Sequence, residues 1–167
     1  MSTKAPLIKI VGVKKSGKTS LAEKLIREFS SRGIRVAAIK HCHHAFPLDR
    51  EGTDSYRLGR AGAIAASVYV PGGYAIFGAV ETIEELENRL RNLFPEADLL
   101  LMEGNKKGAG PKIEINRQAC REGPMCLEDP ELVALITDRK DCGGSAPVFH
   151  PDDIEGIVQF IHKKFLP

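Results

Sequence analysis

Between Gly12 and Thr19 the chain reads Gly-Val-Lys-Lys-Ser-Gly-Lys-Thr, filling the pattern G-x-x-x-x-G-K-[ST] without a gap. The pattern has a function at one kind of junction only, after a buried strand and at the head of a helix. Gly12 and Gly17 let the backbone curl until successive N–H groups point at one anion. Lys18 then reaches the outer phosphates of a nucleotide and Thr19 offers its hydroxyl to Mg²⁺. The positive end of the following helix adds to the attraction. Both flanks are present. Leu7 to Val13 is a short apolar run with little alternation, as in a buried parallel strand. After the loop, Leu21, Leu25, Ile26 and Phe29 share one helical face, and Gly33 is placed as a cap. We take Gly12, Lys15, Ser16, Gly17, Lys18, Thr19 and Ser20 as the nucleotide-binding set. Lys14 and Lys15 equally suit a solvated surface.

The rest of the chain repeats the alternation. Arg35 to Lys40 reads as a second strand, so strand–helix–strand suggests a parallel unit with a right-handed crossover. Asp54 to Ala61 fits a short helix. Ala61 to Val80 carries no charge over the length of a membrane span, but Pro71-Gly72-Gly73 interrupts it. Strands at Ala65–Val70 and Tyr74–Val80 around a tight turn explain it better. Thr82 and Glu85 form a capping box ahead of the stripe Ile83, Leu86, Leu90 and Leu93. Asp98 to Glu103 is a strongly apolar strand ending in a carboxylate. Lys112–Ile115, Val133–Thr137 and Val148–Phe149 are further strands, and Asp153 opens a last helix. The expected class is α/β, a P-loop NTPase-like three-layer fold with a mostly parallel sheet and a β-hairpin extension. The 167 residues suit a single nucleotide-binding domain, 1–167.

A phosphate loop needs a carboxylate near Mg²⁺, usually at the end of a neighbouring strand. Glu103 meets that demand as a magnesium-side or water-positioning group, and Gly104 lets the backbone approach a γ-phosphate. Asp98, at the same strand's start, belongs at the far end of the sheet. Asp49 and Asp54 follow the second strand on the edge that carries the loop, where either suits the metal, a water or plain solvent. We assign Thr19, Asp49 and Glu103 to the metal, and Glu103 with Asp54 to catalysis. Asp138 follows a late strand. Its carboxylate matches the N1–H and N2–H₂ donors of guanine, and Thr137-Asp138 equally makes an ordinary turn.

His41-Cys42-His43-His44 has the ligand chemistry of a Zn²⁺ or Ni²⁺ site. Consecutive side chains on extended backbone point to opposite faces, so the four cannot all converge. A polar active-site loop is the better reading. The four cysteines form no C-x-x-C pair, and no secretory signal precedes them, so a reducing cytoplasm with free thiols is expected. A net charge of +2 argues against nucleic acid as the main partner.

Taken together, the phosphate loop, Ile39-Lys40-His41-Cys42-His43-His44, Asp49, Gly52 to Arg57 and Ala61-Gly62-Ala63 resemble the molybdopterin-guanine dinucleotide biosynthesis protein B (MobB) family. Leu101-Met102-Glu103-Gly104, Pro111 to Glu114 and His150 to Gly156 are similar too. Cys42 and Asn105 differ from the family's frequent Thr and aromatic residue. The resemblance implies a cytoplasmic, homodimeric GTP-binding protein with Mg²⁺-dependent, weak GTPase activity. It implies a molybdopterin-guanylyltransferase partner that joins GMP to molybdopterin, and contact with molybdopterin itself. His41, His43, Asp49, Asp54 and Ser55 enter as the family's second motif, and Glu103 with Gly104 as its third. The alternative reading is a nickel or zinc metallochaperone GTPase holding metal through His41, Cys42 or His43; a small-molecule kinase is a third. The exposed apolar residues expected on the hairpin (Tyr69, Val70, Tyr74, Ile76 and Phe77) point to a dimer.

Overall fold

The computed structural model describes residues 5–42, 47–140 and 142–167. By contacts between Cα atoms they group into two compact units, residues 1–41 with 94–167, and residues 42–93.

The larger unit is built on β1 (Leu7–Val11), β2 (Val36–Lys40), β5 (Leu99–Glu103), β6 (Lys112–Ile115), β7 (Leu132–Ile136) and β8 (Val148–Phe149). They form one six-stranded sheet in the order β2-β5-β1-β6-β7-β8, and every pairing is parallel. β1 is therefore central, and its carboxyl end lies between those of β5 and β6. Every residue of β1 and β5 is buried, as the apolar runs require.

Helices α1 (Lys18–Ser31) and α4 (Ile154–Phe165) cover one face. Leu21, Leu25 and Phe29 enter the core beside Ile8, Ile10 and Leu101, and Ile157, Val158 and Ile161 of α4 join them. Ile26, on the rim of the expected stripe, is only partly buried. Gly33 closes α1 at φ 78°. Ile34 N–H donates to Phe29 O and Gly33 N–H to Ser30 O, both at 3.0 Å, the paired bonds of a Schellman cap. α4 starts as expected, with Asp153 accepting from Gly156 N–H at 2.9 Å.

The opposite face of the sheet is less apolar than the run of strands suggests. Lys9, Lys112 and Glu114 are all buried there. Lys9 Nζ donates to Ala109 O. Lys112 Nζ meets Asp129 at 2.8 Å and Glu131 at 3.0 Å. Burial alone would push its pKa down, but the two carboxylates together outweigh that and raise it. Each charge has a partner, as burial demands.

The smaller unit holds α2 (Asp54–Arg60), β3 (Ala65–Val70), β4 (Gly73–Gly78) and α3 (Ile83–Leu93). β3 and β4 pair antiparallel as the expected hairpin. β4 begins at Gly73 and ends at Gly78, short of the anticipated Val80. The turn is therefore tighter than Pro71-Gly72-Gly73 suggested, with Gly72 at φ 91°. The Thr82 cap forms, Glu85 N–H donating to its hydroxyl at 3.1 Å. The α3 stripe does not reach a core: no residue of that helix is buried, and Leu93 is exposed. A two-stranded ribbon has too little surface to enclose it. Among the described residues no helix is long and apolar enough to cross a membrane.

Candidate functional site

The phosphate loop lies at the carboxyl end of β1. Gly12 takes φ 150° and Gly17 φ 102°. A Cβ on Gly12 would run into the carbonyl oxygen of Ile115 and the hydroxyl of Ser16, so no larger residue fits the turn. Lys15 also adopts positive φ, at 65°. Its side chain is exposed, like those of Lys14 and Ser20. Ser16 is fully buried and its Oγ has no hydrogen-bond partner among the described residues. An orphaned hydroxyl of this kind inside a phosphate loop is completed by an anion's oxygen.

Lys18 folds back over the loop. Its Nζ donates to Gly12 O at 3.0 Å and Val13 O at 2.7 Å. Burial holds its pKa below the usual range. Nearby Lys40 pulls the same way, while Glu103 and Cys120 oppose. Phosphate oxygens arriving there would complete the ammonium's charge pairing.

Glu103 joins the loop to the two strands on its far side. Thr19 Oγ1 donates to Glu103 Oε2 at 2.9 Å. Lys40 Nζ pairs with Oε1. The sheet register sets this: Glu103 lies opposite Ile10 on one side and Lys40 on the other. Lys40 is a site residue that sequence reading missed. Its signals are its place at a strand end and in the stretch Ile39 to His44 that resembles the family, and the first becomes informative once β2 and β5 are neighbours. Gly104, at φ 103°, passes so close to His41 that a Cβ would stand 3.0 Å from His41 O. Only glycine is comfortable there, and the neighbour that requires it is His41.

The hydroxyl of Thr19 and the carboxylate of Glu103 are hard oxygen donors within hydrogen-bond reach of each other. That set fits Mg²⁺, which takes one or two side chains and completes its shell with water and phosphate. Among the described residues no three His, Cys, Asp or Glu side chains come together. Cys42 is exposed, and His43 and His44 lie outside the described residues. Cys126 is buried, and burial raises its thiol to about 11.

Asp49 and Asp54 belong to the smaller unit. Asp49 Oδ1 accepts from Arg50 N–H at 2.8 Å and Thr53 Oγ1 at 3.1 Å. With Leu48, Tyr56, Ile64 and Phe77 it lines a cavity of about 380 Å³. Thr53 caps α2 by accepting from Tyr56 N–H at 3.3 Å. Ser55, in the same motif, is buried. Asp54 is almost fully exposed, 3.6 Å from Arg57 Nη1.

Asp138 follows β7 as expected. Its Oδ1 accepts from Gln118 N–H at 2.5 Å. That bond holds the carboxyl below the usual carboxylate range. Asp98 lies at the opposite end of the sheet, bonded to Arg35.

A wholly parallel sheet, a glycine loop that turns from its central strand into a helix, and a carboxylate ending the next strand together define a P-loop protein of the nucleotide-binding class. Within that class the match is specific. The family model described as molybdopterin guanine dinucleotide synthesis protein B matches residues 7–138, and the chain belongs to this family. It is 37% identical over 140 residues to the molybdopterin-guanine dinucleotide biosynthesis adapter protein of Haemophilus influenzae, covering 83% of this chain and 78% of that one. It is 31% identical over 162 residues to the Escherichia coli protein of the same name, covering 95% and 93%. The crystal structure of Bacillus subtilis MobB superposes with TM-score 0.67 at 27% identity, over 93% of this chain and 97% of that one. The MobB homolog from Bacillus stearothermophilus shares the fold, with TM-score 0.67 at 22% identity over 95% and 97%.

Proposed function

We propose that this protein is a GTP-binding adapter in molybdopterin-guanine dinucleotide biosynthesis, with slow Mg²⁺-dependent GTPase activity. The observation that carries the nucleotide part is the Thr19–Glu103 hydrogen bond beside the folded-back Lys18. The adapter part rests on family membership and on the names of the relatives.

In this reading Gly12 to Ser20, with the Ser16 hydroxyl turned inward, cradles the phosphate chain. Lys18 leaves the carbonyls of Gly12 and Val13 for the outer phosphates. Mg²⁺, held by Thr19 and Glu103, would neutralise charge that develops on those phosphates. Glu103 orients a water, and Lys40 holds the carboxylate in place. Asp49 and Asp54 keep the metal-side and catalytic roles that their place after the second strand suggests, and Asp49→Asn and Asp54→Asn test them. The partner is the guanylyltransferase that joins GMP to molybdopterin, with molybdopterin passing between them. The protein acts as a cytoplasmic homodimer through the hairpin. The whole chain works as one nucleotide-binding domain.

The test is calorimetric titration with GTPγS and ATPγS in Mg²⁺, on wild type and Lys18→Ala. GTPγS should bind at least about tenfold tighter than ATPγS, a difference of ~1.4 kcal/mol. Lys18→Ala should lose most of that binding. Equal or tighter ATPγS binding would remove the guanine preference and favour a kinase.

A further inference from the structure

The Thr19–Glu103 bond fixes one side of β1 as the side of the metal and outer phosphates. β5 and β2 lie there, while β6 and β7 lie on the other side. A nucleotide whose outer phosphates face Glu103 must direct its inner phosphate, ribose and base toward the ends of β6 and β7.

At the end of β6 the chain touches the phosphate loop. A Cβ on Gly17 would lie 3.5 Å from Ile115 Cδ1 and 3.7 Å from Arg117 Cδ. The aliphatic stem of Arg117 therefore runs along the second loop glycine. Its side chain is 52% exposed, with Nε 4.0 Å from Asp138 Oδ2. That pairing orients the guanidinium without enclosing it.

The segment after Arg117 has no regular structure, yet it is tied down. Arg139 Nη2 donates to the carbonyls of Arg117 at 3.3 Å, Cys120 at 2.5 Å and Glu122 at 3.3 Å. Asn116 Nδ2 donates to Glu122 O at 3.1 Å, and Cys120 N–H to Arg117 O at 2.8 Å. Asp138 takes the N–H of Gln118. So the turn after β7 shapes the loop after β6, and that loop holds Arg117 against Gly17.

We propose that Arg117 contacts the inner, base-side part of the bound nucleotide, and that Asp138 and Arg139 are positioning residues that hold it there. A guanidinium offers a planar fork to a phosphate and a flat face to a purine, and both belong to the same end of one nucleotide. Asp138 then acts through Arg117 rather than reading guanine itself. This inference rests on the nucleotide-binding reading above.

The experiment is calorimetry with GDP, GTPγS and ADP on wild type, Arg117→Ala, Arg117→Lys, Asp138→Asn and Lys18→Ala. Thermal melts of each check the fold. Arg117→Ala should lose about tenfold or more for GDP and GTPγS alike, because the contact lies away from the γ-phosphate. Its melting temperature should hold, since the side chain is half exposed. Arg117→Lys should recover only part of the loss, keeping charge without the fork. Asp138→Asn should weaken GDP and ADP by one common factor. Unchanged GDP binding in Arg117→Ala, or a loss confined to GTPγS, would overturn the assignment while the nucleotide reading stands. A loss of GDP binding alone in Asp138→Asn would make Asp138 the base reader and remove its positioning role. A folded wild type that binds none of the three would overturn both readings.

Discussion

Thr19 Oγ1 and Glu103 Oε2 lie 2.9 Å apart although 84 positions separate them in the chain. Lys40 occupies the other oxygen of the same carboxylate. Hydroxyl, carboxylate and ammonium form one unit at the ends of two strands and the head of α1, so their effects should couple. Thr19→Ala and Glu103→Gln should each weaken GTPγS binding in Mg²⁺ about tenfold (~1.4 kcal/mol). The double variant should lose less than the sum of the two. Titrations of wild type, the two single variants and the double variant in Mg²⁺ give the four corners of the cycle. Strict additivity would mean that the two residues act at separate places.

Glu114 carries a stability prediction. It is 0% exposed, and its oxygens accept from Met125 N–H at 2.7 Å and Cys126 N–H at 2.9 Å. Alanine there strands two enclosed donors and leaves a void, at a cost of about 2–4 kcal/mol. Glutamine keeps the volume and one acceptor and should cost less. Urea denaturation of both variants measures this. An alanine variant as stable as wild type would mean that the 117–131 loop rearranges to satisfy its own backbone.

These residues also mark where the sequence stops being legible. The phosphate loop could be read because its chemistry is local, eight consecutive residues between two recognisable flanks. The place of Glu103 beside the loop could be read because it ends an apolar strand, and its bond to Thr19 puts it there. Lys40 could not, because its ion pair depends on β2 lying beside β5, and strand order is not written in local pattern. Lys9, Lys112 and Glu114 look like solvent-facing interruptions of apolar strands. They are buried because a carbonyl and carboxylates close over the two lysines, and backbone N–H groups over Glu114, from loops up to a hundred positions away. Asp138 was placed correctly at a strand end, but the direction of its carboxylate is set by Gln118 from a different loop. The α3 stripe is the converse case, a regular helical pattern with no core to face.

The pair at the opposite end of the sheet sets an acid limit. Asp98 accepts from Arg35 Nε at 3.0 Å, Nη2 at 2.8 Å and backbone N–H at 2.8 Å. The Arg35 guanidinium, helped by the backbone N–H, holds its carboxyl down at about 2. The folded value lies below the unfolded one, so the stabilisation is complete above about pH 4 and fades as pH falls toward the folded value. Both side chains are more than a third exposed, so solvent screening keeps the contribution small. Asp98→Asn should therefore lower stability slightly at neutral pH and flatten its decline between about pH 4 and 2. Denaturation curves at several pH values test this. A variant curve that runs parallel to wild type would show that the pair contributes nothing.

The hairpin carries the last prediction. Tyr69 and Tyr74 face each other in the β3–β4 register, and they are 81% and 62% exposed. Val68, Val70 and Ile76 on the same strands are exposed as well. The two strands form a sheet of their own, so each has an outer edge without a strand partner among the described residues. Open edges and exposed aromatics on one ribbon make a self-complementary surface, which a two-fold axis satisfies by presenting the same patch twice. The protein should sediment as a dimer at micromolar concentration. Tyr69→Ser with Tyr74→Ser should give a monomer that still binds GTPγS, because no nucleotide ligand proposed here comes from the hairpin. A monomeric wild type would sink the dimer. A dimer that survives both substitutions would place the interface elsewhere.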